Sequence, residues 1–261
     1  MNGEWRMTNG EWSKPRALRV TPRYVTPSII GNALATILLV VCSAAAGAGE
    51  TEWRQLQQQA QASFERRNFG ESEQLAREAL LEADASLGAY HRATEDSLNL
   101  LSLSLRMQKK PGEALPFAQR LVAVRTRRYG PRNPETAIAL HNNAEILIAL
   151  DELAAAEEVQ RAAVEICQAK LGPDHYMTAL GLHNLGAIRL KQKRYAEGEL
   201  YLRQALAAKE KALEPGNLSI AHTLDNLSIA LQAQGKRDEA LKFKKRADAM
   251  RQAAARGQAA N

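Results

Sequence analysis

The sequence repeats itself at a spacing of 42 residues, and this spacing constrains the fold more than any other feature of the chain. The stretch LGPDHYMT at 171–178 aligns without a gap with LGAYHRAT at 87–94, YGPRNPET at 129–136 and LEPGNLSI at 213–220. The residues that these stretches share are glycines and prolines. Both end helices, because glycine accepts a positive φ and proline cannot continue a helix. The four stretches are therefore predicted to be linkers between repeated units.

Between the linkers, apolar residues recur with helical spacing. Leu98, Leu140, Leu182 and Leu224 share one column of the alignment, and apolar or small residues follow three, four and seven positions later in most copies. This pattern is one face of a helix, and a second such pattern completes each unit. A single unit cannot bury its apolar face, so neighbouring units must stack. The sequence predicts an all-α solenoid of about five helix–turn–helix units, at 52–87, 92–129, 134–171, 176–213 and 218–253.

The Asp174–His175 pair inside LGPDHYMT resembles a catalytic pair, but it does not persist across the repeats. Arg132 and Asn133 occupy the same positions one repeat earlier. A pair that performed chemistry would not be expected to change in this way, so we interpret it as part of a linker. The chain also contains no nucleophile elbow, phosphate-binding loop or dinucleotide fingerprint. We expect a protein that is not an enzyme and that needs no cofactor.

Two histidines, His141 and His183, occupy equivalent positions in successive units and suggest a metal site. Packed helices lie about 8–10 Å apart, whereas a zinc–nitrogen bond is about 2 Å long. A third ligand is also needed, and Asp225 lies one unit further along the chain. We therefore predict no metal site. Cys167 is expected to stay a free thiol, since the chain has only one other cysteine, Cys42.

Residues 1–48 have the order of a secretory signal and are predicted to be a signal peptide with a preceding basic segment. Four basic residues lie between 14 and 23, an uncharged apolar run follows from 29 to 41, and small residues follow that run. Cleavage is expected after Ala46 or Ala48, which makes the protein periplasmic or secreted.

Three alternatives to cleavage remain open at the N-terminus. Residues 29–48 are just long enough to anchor the chain in the inner membrane if cleavage does not occur. Cys42 could instead carry a lipid, or the assigned start could be wrong and the chain not exported, with Met7 another candidate start. Residues 49–253 form the predicted solenoid, and 254–261 are expected to be a disordered tail.

The positive charge of the chain is partly a property of its N-terminal segment. The net charge is +6, and residues 1–48 hold five basic and two acidic residues, which leaves +3 for the rest. No stripe of lysine and arginine interleaved with aromatic residues occurs, as nucleic-acid binding would require. We expect no nucleic-acid partner, and membrane contact only through an uncleaved N-terminal segment.

The repeated columns resemble the tetratricopeptide repeat. Each copy has Leu-x2-Leu, or a close variant, followed by a small residue in the first helix, and an alanine or glycine opens the second helix 12 residues after that small residue. The 42-residue period, LHNL at 182–185 and LGPDH at 171–175 are similar to the kinesin-light-chain type of this repeat. The resemblance covers 52–253. It implies a right-handed superhelix whose first helices line a concave groove, and it implies a repeat module rather than a motor subunit.

Two columns of the first helices are expected to face this groove. An asparagine amide offers both donors and an acceptor, so a ladder of asparagines could pair with the backbone of an extended peptide, as the resemblance implies. The alternative is that each asparagine bridges adjacent repeats. The candidate peptide-binding residues are Asn99, His141, Asn142, His183, Asn184, Lys191, Asp225 and Asn226.

The sequence therefore favours a non-catalytic, exported solenoid that binds a peptide or protein segment in its groove. A second hypothesis is a scaffold that joins a cell-envelope assembly through its end faces or its convex helices. The oligomeric state and the identity of the partner do not follow from the sequence.

Overall fold

A computed structural model of the chain describes the backbone of residues 6–8, 11–13 and 29–259 and the side chains of residues 47–256. The chain divides into two compact units, Met1–Ala44 and Ala45–Asn261. The first unit contains two short antiparallel strands, β1 (Arg6–Thr8) and β2 (Glu11–Ser13), with Met7 opposite Trp12. The predicted signal peptide and its cleavage sites lie almost wholly outside the residues whose side chains are described.

The second unit is built from antiparallel helix pairs, and the prediction of an all-α solenoid is confirmed. A π-helical turn, Ala83–Leu87, continues the second helix up to the first linker. In the described part of the chain no helix is both long enough and apolar enough to cross a membrane. The helices are α1 (Ile29–Glu65), α2 (Phe69–Glu82), α3 (Arg92–Met107), α4 (Pro111–Tyr129), α5 (Pro134–Ala149), α6 (Leu153–Leu171), α7 (Tyr176–Lys191), α8 (Tyr195–Ala212), α9 (Leu218–Ala233) and α10 (Arg237–Ala259).

The last helix is longer than the sequence predicted. α10 continues to Ala259, so the expectation of a disordered tail from residue 254 is wrong for 254–259. The segment AAARGQA is rich in alanine, arginine and glutamine, which lose little side-chain entropy in a helix and therefore extend it.

The linkers act as helix caps. The side chain of His175 accepts a hydrogen bond from the backbone N–H of Met177 through Nδ1, at 3.1 Å, at the start of α7. Asn133 does the same for α5 at 2.9 Å, and an acceptor side chain here satisfies one of the free N–H groups of the first turn. Gly172 ends α6 with φ +95°, which a residue with a side chain rarely adopts. The sequence LGPDHYMT thus serves to stop one helix and start the next.

Each helix pair packs through a small residue on its first helix. At Gly186 of α7 an added Cβ would lie 2.6 Å from Leu202 Cγ on α8, so only glycine permits this approach. The leucine column selected from the sequence is buried at Leu98, Leu182 and Leu224. Leu140 is only partly buried and packs against the cluster that contains Cys167.

A carboxylate joins successive repeats at three of the four junctions. Glu73 of α2 accepts a hydrogen bond from Gln108 at the end of α3, at 2.8 Å, and forms a salt bridge with Lys110 at 3.0 Å. Glu157 and Glu199 repeat this arrangement, because they accept hydrogen bonds from the next repeat's glutamine, Gln192 and Gln234 respectively. We call these contacts the polar junctions.

The remaining junction is apolar. Leu115 stands in the column of Glu73, Glu157 and Glu199, and Leu150 stands in the column of the glutamines. Both leucines pack on the core cluster of buried residues around α3 and α4. The two columns therefore change together, and the same backbone position is stabilised by hydrogen bonds in one junction and by apolar contact in another.

The C-terminal end of the solenoid carries ion pairs where internal repeats carry apolar contacts. Lys244 and Arg251 of α10 each contact both Asp225 of α9 and Asp248 of α10. Asp248 occupies the column that holds Leu206 one repeat earlier, and Leu206 is buried. The four charged side chains of this end lattice are thus paired with one another on the last two helices.

Candidate functional site

One face of the first helices is open along the solenoid. On α3 it consists of Asp96, Asn99 and Leu103, which are all half-buried and which are spaced three and four residues apart. This i, i+3, i+7 spacing places them on one side of the helix. We call this surface the groove face, and we include the residues at the equivalent positions of later repeats. These are Ile138 and Glu145 on α5, Leu180, His183 and Ala187 on α7, and His222, Asp225 and Ile229 on α9.

A cavity of about 380 Å³ opens on the groove face between α1 and α3. Its walls combine amide groups, one carboxylate and apolar side chains. The volume falls in the usual range of about 300–1,000 Å³ for pockets that take small ligands or parts of larger ones. The lining residues are Gln57, Gln61, Phe64, Asp96, Asn99, Leu100 and Leu103.

Two of the predicted binding residues lie inside the solenoid. His141 and Asn184 retain 4% and 8% of their accessible surface, and both contact Gln160 of α6, with which His141 Nδ1 shares a hydrogen bond at 3.1 Å. Asn184 donates to Gln160 Oε1 at a longer 3.4 Å. The prediction that both side chains face the groove is therefore wrong. His141 contacts the second helix of its own repeat and Asn184 contacts the second helix of the preceding repeat, so the alternative of an asparagine that bridges adjacent repeats describes Asn184.

His183 and Asn226 lie at the edge of the groove face and contact each other. Asn226 Nδ2 lies 3.4 Å from His183 Nε2, and His183 Nδ1 lies 3.1 Å from Thr223 Oγ1 on α9. Thr223 donates its own proton to the Ser219 carbonyl at 3.1 Å, so it is an acceptor toward the histidine. This arrangement assigns the neutral Nδ1–H tautomer to His183.

The same threonine accepts a hydrogen bond from a buried lysine. Lys209 of α8 is 1% exposed, and its Nζ donates to Thr223 Oγ1 at 2.9 Å and to the Ser219 carbonyl at 3.1 Å. Both acceptors are neutral, whereas the equivalent Arg125 pairs with the Glu95 carboxylate at 2.8 Å. Burial lowers the pKa of Lys209 to about 8.

The buried imidazoles are neutral at physiological pH. Burial lowers the pKa of His141 to about 4, and Arg106 and Lys209 lower it further against the opposing hydrogen bond that His141 donates to Gln160. Burial also lowers the pKa of His183 to about 3, and the charge of Lys209 contributes. Neutral imidazoles can share hydrogen bonds inside the protein without the cost of a buried charge.

The other predicted site residues lie apart from this network. Asn99 lines the cavity and Asn142 is half-buried beside the groove face. Lys191 is exposed and pairs with Asp151 at 3.3 Å, outside the groove face. Asp225 is occupied by the end lattice with Arg251 and Lys244. The predicted set is therefore divided between the groove, the repeat junctions and the end of the solenoid.

Within the described residues, no three His, Cys, Asp or Glu side chains come together in a group that could hold a metal ion. Cys167 is buried, and burial raises the pKa of its thiol, which keeps it protonated and unreactive.

Sequence reasoning missed the two columns that carry most of the groove face. They contain Asp96, Ile138, Leu180 and His222, and Leu103, Glu145, Ala187 and Ile229. The available signal was their variability from repeat to repeat, which includes changes of charge such as that between Asp96 and Ile138. The asparagine column attracted attention through its regularity, which reflects contacts inside the protein at Asn184.

Comparison with protein families identifies the repeat. Models of the tetratricopeptide repeat match residues 94–135, 135–211 and 177–253. Together these matches extend over 94–253, which is more than half of the 261 residues. No curated protein matches the chain in sequence.

Solved structures share the fold at low sequence identity. A variant of a Podosopora anserina protein of kinesin-light-chain type, with nearly identical repeats, is 21% identical, has a TM-score of 0.65, and is matched over 78% of this chain and 96% of its own. BtubC (BKLC) from P. vanneervenii is 18% identical, with a TM-score of 0.64 and coverage of 82% and 92%. A Rap protein in complex with competence and sporulation factor is 16% identical, with a TM-score of 0.62 and coverage of 76% and 53%.

Proposed function

The chain belongs to the tetratricopeptide repeat family, and we propose that it acts without catalysis, as a receptor for an extended peptide segment held on its groove face. One observation carries this proposal. The groove face presents a different side chain in each repeat from α3 to α9, each half-buried or exposed, with a cavity of about 380 Å³ at its α3 end, while the polar groups beneath it are largely paired with one another. A surface of this kind can read a ligand without disturbing the stacking of the repeats.

The dimensions of the groove face suit a short segment. Neighbouring first helices lie about 10 Å apart, so the three steps from α3 to α9 span about 30 Å. An extended chain advances about 3.3 Å per residue, so about nine residues reach from one end to the other. Because the solenoid is already ordered, most of the entropy lost on binding is lost by the ligand.

A library of random nonapeptides tests the proposal. We expect the purified solenoid to select peptides that bind in the micromolar range, and Leu180→Asp to weaken them at least tenfold, because it places a charge against the apolar part of the ligand. Leu200→Asp is the matched control, since Leu200 of α8 is 59% exposed and lies off the groove face. Selected peptides that bind Leu180→Asp unchanged would overturn the proposal.

The alternative of a scaffold that assembles through its end face receives less support. The lattice of Asp225, Lys244, Asp248 and Arg251 covers the C-terminal end with mutually paired charges. A further repeat would have to bury these charges, which is costly unless every one of them remains paired. We therefore favour the groove as the functional surface.

We further propose that the chain is exported and that cleavage after Ala48 leaves Gly49 as the new N-terminus. Gly49 is buried, and a Cβ on it would lie 2.3 Å from Ser86 Oγ and 2.7 Å from Glu82 Oε1. The residue after the proposed cleavage site is thus also one that packing requires to be glycine. The intact mass of the exported protein is expected to begin at Gly49. A full-length chain in the membrane fraction would contradict the proposal and favour the uncleaved anchor.

A further inference from the structure

We propose that the cavity at Asp96 is a subsite for a basic side chain, lysine or arginine, of the bound peptide. This inference rests on the proposed function and adds a chemical class to one position of the ligand. It is carried by the geometry of the cavity, by a carboxylate on its wall whose one salt-bridge contact within the described residues is as long as 3.7 Å, and by the residues that replace Asp96 in later repeats.

The cavity has the composition that a long basic side chain requires. Phe64, Leu100 and Leu103 offer apolar surface for the methylene stem, which lysine and arginine bury readily while the charged head finds a polar partner. No lysine or arginine lines the cavity. Among the residues that the structure describes, the carboxylate of Asp96 is therefore the only charge on its wall.

The amides of the cavity can hold the backbone of the ligand. Gln57 uses its carbonyl oxygen to accept a hydrogen bond from Ser97 Oγ at 2.9 Å, which leaves its two N–H donors for other acceptors. Asn99 lies one helical turn from Asp96 and brings a second amide to the same wall. These groups recognise peptide carbonyl and N–H groups in any sequence, whereas the carboxylate supplies selectivity.

A contrast between neighbouring residues shows that Asp96 is left open. Glu95 is buried and fully paired, with Arg125 at 2.8 Å, Arg128 at 3.3 Å and the Tyr129 hydroxyl at 3.0 Å. Asp96 retains 41% of its side-chain surface, and its one salt-bridge contact within the described residues is Arg92 Nε at 3.7 Å.

The electrostatics agree with an open site. Burial raises the pKa of the Asp96 carboxyl, and the nearby Glu95 raises it too, against the opposing charges of Arg92, Arg125 and Arg128. The carboxylate is thus partly removed from water without gaining a close donor. A cation that enters the cavity supplies that donor, and a hydrogen bond between charged groups is stronger than one between neutral groups.

The column of Asp96 carries a single carboxylate on the groove face, and the other two acidic residues of this face, Glu145 and Asp225, are paired with Arg106 and with Arg251 and Lys244 respectively. Ile138, Leu180 and His222 stand in the column of Asp96 in the next three repeats. One repeat corresponds to about 10 Å, or about three residues of extended ligand. The ligand is therefore expected to carry a basic residue near one end, with apolar residues about three and about six positions away, opposite Ile138 and Leu180.

Selection from the random nonapeptide library, followed by sequencing, measures this preference. We expect lysine and arginine to be enriched at one terminal position, and apolar residues about three and six positions from it. Replacing the selected arginine with citrulline, which keeps its shape but removes its charge, is expected to weaken binding to the wild-type protein about tenfold. Against Asp96→Asn the arginine and citrulline peptides should bind alike. Asp174→Asn removes an equal charge from a linker and should preserve the tenfold difference.

The outcomes separate this inference from the function on which it rests. If peptides bind and Leu180→Asp abolishes their binding, but no basic residue is enriched, the acidic subsite is overturned and the groove receptor stands. The same conclusion follows if the preference for arginine survives Asp96→Asn. If no peptide of the library binds at all, the receptor function fails, and the subsite fails with it.

Discussion

Two sets of positions recur in every repeat, the junctions and the groove face, and they vary in different ways. At the junctions the residues change in matched pairs. Glu199 contacts Gln234 at one junction, and Leu115 and Leu150 occupy the same two columns at another. In the column of Asp96 on the groove face, the residues change without a matched partner in another repeat. Asp96 gives way to Ile138, and the one salt bridge of Asp96 within the described residues is to Arg92 of its own helix.

The difference shows which contacts determine the residue at each position. A junction residue contacts another residue of the same chain, so a change on one side must be matched on the other. Within the described residues, the column of Asp96, Ile138, Leu180 and His222 makes no salt bridge or side-chain hydrogen bond to another repeat, so its residues are free to follow something outside the chain. The junctions should therefore determine stability, and the groove face should determine recognition. Substitutions at the junctions are expected to change the free energy of unfolding most, and substitutions on the groove face least.

The largest effect is expected from breaking a polar junction on one side. Glu157→Leu removes the acceptor of Arg189, whose side chain is 4% exposed, and of Gln192. We expect the free energy of unfolding to fall by about 3 kcal/mol, the lower end for a broken buried pair, because Arg189 keeps Glu197 at 3.3 Å. Denaturant unfolding measures it. Glu158→Leu makes the same change at an exposed position and is expected to alter stability by no more than about 0.5 kcal/mol.

A matched double substitution measures how strongly the two sides of a polar junction are coupled. Glu199→Leu alone leaves Gln234 and Lys236 without their acceptor and is expected to cost about 2 kcal/mol. Adding Gln234→Leu copies the apolar junction of Leu115 and Leu150. The double variant should therefore be more stable than the sum of the single changes predicts, by about 1 kcal/mol. Strictly additive losses in a double-mutant cycle would show that the two positions are not coupled.

His141 and His183 should make the stability of the protein depend on pH. The folded-state pKa of His141 is about 4 and that of His183 about 3, both below the usual 6.5. Their contribution is therefore complete above about pH 6.5 and is lost as the pH falls toward 4, with a slope of about 1.4 kcal/mol per pH unit for each histidine. Unfolding curves at pH 7.5, 6 and 5 measure this slope.

Variants of single histidines assign that slope. We expect His141→Gln to remove about half of it, because one of the two titrating imidazoles is gone. His222→Gln is the control, since His222 is exposed on the groove face. A slope that stays unchanged in His141→Gln would place the origin of the pH dependence elsewhere.

The smallest effect on stability is expected on the groove face itself. Ile138→Ser removes a half-buried apolar side chain that belongs to none of the core clusters, and should cost no more than about 1 kcal/mol. The same change should weaken binding of the selected nonapeptides several-fold. Thermal unfolding and fluorescence anisotropy on the same preparation separate the two readouts. A large loss of stability would move Ile138 from the groove to the junctions.

The sequence was sufficient for the helices and their stacking, because these follow from a 42-residue period with heptad-like apolar spacing. The pairing of Glu73 with Gln108 was also present in it, as two columns that change together, but it becomes visible only when columns are compared with each other. The orientation of the asparagine column was not accessible. Successive residues of a helix differ by about 100° in direction. One position thus separates the half-exposed His183 from the buried Asn184.

The most direct test of the receptor function locates a bound peptide. A nonapeptide selected from the library would carry a nitroxide spin label at its central residue, and the protein would carry ¹³C-labelled methyl groups. If the groove face holds the peptide, we expect the label to broaden the methyl resonances of Ile138, Leu180 and Ala187. Broadening at Leu200 and Leu241, with the groove resonances unchanged, would contradict it.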